Sequence, residues 1–178
     1  MNSSLTVRPP GKGEAAQLAQ VHVRAWEQAY SGLMPEHFWD GSALETRTEF
    51  WNQALADPQQ RSRTRVAEAN GAVVGLAQIG PSRDADVDAD HELYMIYLLE
   101  EHYGSGAASS MLTDLLTDES ASLWVFKSNP RAQAFYRKHG FEPDGEEVDL
   151  GNGRSSSALA GILEIRMTRP ARTAEQRS

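Results

Sequence analysis

The sequence predicts a mixed α/β fold of the α+β kind: one domain over residues 1–170, with a central, mostly antiparallel sheet, a strand–helix–strand crossover and helices on both faces. Three observations predict it. Asn70-Gly71 sits between "TRVAEA" and "AVVGLAQIG", the signal of a two-residue β-hairpin turn in which both positions take positive φ. "ELYMIYLL" is apolar on both faces, as a central strand must be, and runs through "HYGSGAASSML" into a helical pattern. The strand-like "SLWVFKS" comes next, so a strand, a helix and a strand stand in succession.

In chain order, "LTVRP" reads as a short strand stopped by prolines. Leu18, Val21, Ala25, Trp26 and Ala29 recur at helical spacing between Lys12 and Tyr30. "SGLMPEHFWDGS" is a loop or short turn. Ser42, with Glu45 three residues on, is the expected capping box of a second helix that buries Leu44, Phe50, Trp51, Ala54 and Leu55 and ends before Asp57-Pro58. The hairpin and the central strand come next. Ala107, Ala108, Met111, Leu112, Leu115 and Leu116 mark one face of the following helix. Asn129 is an N-cap with Pro130 at the first helical position, and Gly140 closes that helix. "EEVDL" and "GILEIRMTR" are the last strands, on either side of the polar loop "GNGRSSS". The tail 171–178 is expected to fray.

Composition narrows the chemistry. In 178 residues, 40% are hydrophobic and none is cysteine. Disulfides, thiolate metal sites and cysteine nucleophiles are excluded. The five histidines show no metal-ligand spacing, so no metal is expected. A net charge of −8 argues against nucleic acid as a partner, because phosphate contacts need clustered Lys and Arg. No apolar run is long enough to span a bilayer, and the expectation is a cytoplasmic protein without a membrane partner.

Gly104 and Gly106 stand between a strand and a helix. A junction of that kind presents unbonded backbone N–H groups at the positive end of a helix dipole, where a diphosphate fits. A bare strand-to-helix turn explains the same residues. A P-loop is excluded for want of its lysine, and a dinucleotide fold is disfavoured because hairpins precede the motif.

The pair "YLLEEHYGSGAASSMLTDLL" and "LWVFKSNPRAQAFYRKHGFEPDG", taken with "VHVRAWEQAYSGLMP", resembles the GNAT N-acetyltransferases over roughly residues 5–168. The resemblance implies acetyl-CoA as co-substrate. It implies a cofactor-binding set of Tyr103, Gly104, Ser105, Gly106, Ala107 and Ala108 for the diphosphate, with Asn129 beside the cofactor arm. It further implies that the backbone of Ile96, Tyr97 and Leu98 takes the pantetheine arm and polarises the thioester carbonyl. Tyr103 departs from the Gln or Arg usual in the family, which removes one side-chain donor.

The implied reaction is acetyl transfer to a primary amine, in a small molecule or a peptide, by direct attack in a ternary complex. No Gly-x-Ser-x-Gly elbow or cysteine offers an acyl-enzyme route. The resemblance gives Tyr136 the role of acid to the leaving thiolate, a phenol with an ordinary pKa of ~10; a core aromatic is the alternative. Glu92 is the candidate base, against a solvated strand-end charge. His22 reads more simply as core, and His91 points to the other face of its strand. Trp26, Tyr30, Phe38 and Trp39 are candidate substrate walls able to hold an amine by cation–π contact. The acids at 84, 86, 88 and 90 read as a solvated loop before an anionic rim. A non-catalytic acyl-CoA-binding module and, more remotely, a dinucleotide enzyme are the rivals, and a homodimer through sheet edges is compatible with the fold.

Overall fold

The computed structural model describes residues 5–152 and 159–172. Most of the polar loop 151–157 and the tail from 173 lie outside the described residues. The sheet has seven strands in the order β1-β2-β3-β4-β5-β7-β6. The chain packs as two compact units, Met1–Ile79 with Met95–Leu115, and Gly80–Tyr94 with Leu116–Ser178.

In the first unit, β1 (Leu5–Arg8) pairs antiparallel with β2 (Thr64–Ala69), and β2 with β3 (Ala72–Gly80). The hairpin turn is as expected, with Asn70 at φ 53° and Gly71 at φ 80°. Arg8 holds the start of the chain to the sheet by donating to Glu14 at 2.6 Å and Glu68 at 2.6 Å. Helix α1 (Ala15–Tyr30) buries Leu18, Val21, His22 and Ala25, and packs on α2 (Gly41–Ala56), which buries Trp51, Ala54 and Leu55.

The cap of α2 differs from the expectation. Asp40, not Ser42, is the N-cap: its carboxylate accepts from the N–H groups of Ser42 at 2.9 Å and Ala43 at 3.1 Å. Ser42 lies inside the first turn and donates its own hydroxyl to Asp40. A carboxylate at this position also sits favourably at the positive end of the dipole, which a serine cannot match. A short helix, α3 (Pro58–Ser62), was not expected; Asp57 caps it and Pro58 opens it, so the same "DP" that ends α2 starts the next turn.

The later part of β4 (His91–Leu98) belongs to this unit and leads through a 3-10 turn at Glu100–His102 to α4 (Ala107–Leu115). Gly75 is required where β3 meets that strand. A Cβ there would stand 2.8 Å from Leu98 Cδ1 and 2.9 Å from the carbonyl oxygen of Tyr97.

In the second unit, the early part of β4 runs parallel to β5 (Ala121–Phe126), with His91–Leu93 in register with Ala121–Leu123. β5 pairs antiparallel with β7 (Leu163–Arg169), and β7 with β6 (Glu142–Asp149). β6 begins four residues before the expected "EEVDL", and its register shifts between Pro143 and Glu147 around Gly145 at φ 99°. Helix α5 (Pro130–Lys138) has the expected cap: Asn129 accepts from the Ala132 N–H at 3.0 Å, and Gly140 takes φ 84° at the far end. No helix among the described residues is long and apolar enough to cross a membrane.

The cap assignment is testable by urea unfolding. Asp40→Ala should lower the urea midpoint, whereas Glu45→Ala, which removes only the capping-box partner expected from sequence, should change it little.

Candidate active site

The junction between β4 and α4 sets two left-handed glycines before the start of a helix. Gly104 and Gly106 take φ of 77° and 86°, a region that an L side chain enters only with strain. The space before both α-carbons is open, with nothing within 4 Å of where a Cβ would stand. Three amides here are engaged within the loop. Tyr103 donates to Glu100 O at 3.0 Å, Ser105 to His102 O at 3.2 Å, and Ala107 to the Ser105 hydroxyl at 3.3 Å. The N–H groups of Gly104, Gly106 and Ala108 make no hydrogen bond among the described residues. The donors open to a ligand are therefore those three. Ser105 shapes the loop by capping α4 through its side chain. The Tyr103 side chain is 37% exposed at the rim.

The first unit also holds an aromatic cluster that joins the predicted substrate walls to β4. The Trp26 ring stacks on Phe38 at 5.9 Å and meets Tyr30 edge-on at 5.5 Å. It meets Tyr97 at 6.3 Å, and Tyr97 lies 4.9 Å from the His22 ring. Trp39, beside Phe38, caps the 3-10 turn Glu36–Phe38 and makes no ring contact with this cluster among the described residues. His22 is core, as the simpler reading held. It is 3% exposed, and its Nδ1 accepts from Trp51 Nε1 at 3.3 Å, which places the ring proton on Nε2. Burial, helped by the positive charge of Arg47, pushes its pKa down to about 3. The Arg47 guanidinium lies over the Trp26 ring at 5.6 Å, so this aromatic face already carries a cation.

In the second unit, Tyr136 is buried on α5, edge-on to Phe135 at 5.4 Å and to Phe141 at 6.1 Å. Asn129 uses its side-chain oxygen on the α5 cap. Glu92 departs from the solvated reading offered for it. At 1% exposure it is not a solvated strand-end charge. Its carboxylate takes the Arg83 backbone N–H at 2.9 Å and the Arg83 Nε at 3.1 Å, and is further clamped by Arg83 Nη2. That is the geometry of a charge-assisted ion pair. Of the acidic stretch, Asp86, Asp88 and Asp90 are exposed, as a solvated loop requires, and Asp84 is buried. Asp84 accepts from Trp124 Nε1 at 2.7 Å, and Asp86 forms a fork with Arg166 at 2.9 Å on both arms. Asp144 binds the same guanidinium at 2.6 Å, and Asp90 receives the Ser120 hydroxyl at 2.7 Å. Spacing showed the acids but gave no sign of Arg83 or Arg166, their partners. Among the described residues no cluster of His, Asp or Glu could hold a metal ion.

A mixed sheet with a central strand, followed by a glycine turn with unbonded amides before a helix, is the frame of this chain. Residues 26–141 match the model of the acetyltransferase (GNAT) family. An uncharacterized N-acetyltransferase of Bacillus subtilis, YuaI, is 30% identical over 152 residues, covering 80% of this chain and 83% of that one. An uncharacterized N-acetyltransferase of Mycobacterium tuberculosis is 32% identical over 142 residues, covering 74% of this chain and 85% of that one. Among solved structures, the PaiA N-acetyltransferase of Thermoplasma acidophilum, in complex with coenzyme A, superposes with a TM-score of 0.70 at 18% identity, over 94% of this chain and 99% of that one. The chain belongs to the GNAT family, and its class of chemistry is acyl transfer from acetyl-CoA.

The buried His22 makes a pH prediction. Its folded pKa of about 3 lies below the ordinary 6.5, so the unfolded chain binds the extra proton between those values. Its contribution to stability is complete above pH 6.5 and is lost as the pH falls toward 3, at no more than about 1.4 kcal/mol per pH unit. Urea unfolding across this range should show a shallower slope for His22→Gln than for the natural protein.

Proposed function

We propose that this protein transfers the acetyl group of acetyl-CoA to a primary amine by direct attack in a ternary complex. The observation that carries the reading is the glycine turn, which combines open α-carbon faces with three free N–H groups at the start of α4. Gly104, Gly106 and Ala108 are the amides that would hold the diphosphate, neutralising its charge with the partial positive charge of the helix end. Because Ala107, Met111 and Leu112 are buried, α4 is anchored and the amides are fixed before any ligand arrives.

When bound, the co-substrate supplies a thioester carbonyl for the amine nitrogen to attack, with cleavage of the C–S bond. The backbone of Ile96, Tyr97 and Leu98 is assigned to the cofactor arm and to polarising that carbonyl. Tyr136 is assigned to protonate the departing thiolate. Its partly apolar surroundings suit a phenol that stays protonated until a negative charge forms beside it. The amine gives up its proton to solvent, since Glu92 is engaged by Arg83. Asn129 serves mainly to start α5.

The test is release of free thiol from acetyl-CoA in the presence of a panel of amines. Tyr136→Phe should lower kcat by about 10²-fold while the affinity for coenzyme A, read by calorimetry, is unchanged. Gly106→Ala should do the opposite, weakening coenzyme A binding by about tenfold as the loop takes on strain of roughly 1–2 kcal/mol. Coenzyme A binding without thiol release from any amine would favour a non-catalytic acyl-CoA module.

A further inference from the structure

The aromatic walls were expected to receive a cationic amine. The structure places the chain's own cation there instead. Arg47, in the middle of α2, lays its guanidinium over Trp26, the ring that also touches Phe38, Tyr30 and Tyr97. Arg47 is only partly exposed, and among the described residues it has no hydrogen-bond or ion-pair partner. Elsewhere in this unit Arg8 pairs with Glu14 and Glu68, Arg24 with Glu101 and Arg65 with Asp114, while Arg61 donates to the Leu55 carbonyl at 3.0 Å. In a chain with 25 acidic residues against 17 basic ones, the charge of Arg47 meets an aromatic face rather than a carboxylate.

Its charge reaches the cluster, since it helps to keep His22 neutral. The same Trp26 ring has a second unanswered donor: its Nε1–H is buried and finds no acceptor. The planar five-donor cation and the buried indole N–H, neither with a carboxylate among the described residues, together suit an anionic acceptor. A second cation against Trp26 would be repelled by the one already there.

We infer that the acceptor is an amine that also carries a carboxylate, of the amino-acid class, and that Arg47 is the specificity-determining residue that binds this carboxylate. Arg47 holds the anionic end by a charge-assisted, two-point hydrogen bond. Trp26 keeps the guanidinium plane in place. The Tyr97 ring, on the strand whose backbone is assigned to the thioester, forms the other end of the cluster, so the amine is directed toward β4. The inference rests on the proposed acetyl transfer and narrows its substrate.

The experiment compares each standard amino acid with its own amide, which keeps the amine and the side chain and removes only the negative charge. Thiol release from acetyl-CoA is measured with the natural protein, Arg47→Gln and Arg47→Lys. Far-UV circular dichroism checks that the variants fold. For the amino acids that turn over, kcat/KM should exceed that of the matching amide by about tenfold or more. Arg47→Gln should erase that preference, bringing each amino acid down to the level of its amide, and Arg47→Lys, which keeps the charge but not the fork, should retain part of it. Calorimetry with the free amino acids in the presence of coenzyme A gives a readout that does not depend on turnover, and Arg47→Gln should abolish the heat. Amides turned over as well as acids, or an acid preference that survives Arg47→Gln, overturns the inference. So does coenzyme A binding with no heat from any amino acid. Failure of coenzyme A itself to bind would instead remove the proposed function on which the inference stands.

Discussion

The structure turns on a backbone that must go left-handed twice within three residues. Between β4 and α4 the chain changes direction and begins a helix while leaving amides unbonded, and only residues without a Cβ do this at little cost. Ser105 separates the two glycines and completes the turn, closing the loop with its N–H and capping the helix with its hydroxyl. The turn is exposed, but the helix it opens is anchored: Ala107, Met111 and Leu112 are wholly buried, and α4 packs on β1 and β2. A conformationally permissive loop is thus set on a rigid base. An anion site needs this combination, because flexible donors would lose entropy on binding.

Buried polar groups elsewhere obey the opposite logic. Glu92 is matched to Arg83, Arg166 to Asp84, Asp86 and Asp144, and His22 to the indole of Trp51. Each pair removes an unanswered charge or donor from the interior, as burial demands. Arg166 is 5% exposed and lies among three carboxylates and the Trp124 ring, so it joins the acidic loop 84–90 to β6 and β7. These networks give partners to several of the acids that a reading by spacing leaves as solvent-facing charge.

Much of the fold was legible because it is encoded locally. Asn70-Gly71 can hardly do other than turn a hairpin, Asn129-Pro130 opens a helix by chemistry contained in two residues, and Gly140 closes it through positive φ. The glycine turn was legible for the same reason. The errors arose where two local signals competed or a signal was reused: Asp40 prevailed over Ser42 as the cap of α2, and Asp57-Pro58 ended one helix and began another.

The sequence by itself determined most of the order of elements, though not α3, together with the central apolar strand and the glycine turn before α4, since these depend on φ preferences, periodicity and hydrogen-bond capacity within a few residues. Only the tertiary structure decided which charges are in use. Arg83 stands nine residues from Glu92, Arg166 stands 80 from Asp86, and Arg47 lies over a ring from another helix. A carboxylate's role depends on what is within a few ångströms of it, and that distance has no counterpart along the chain.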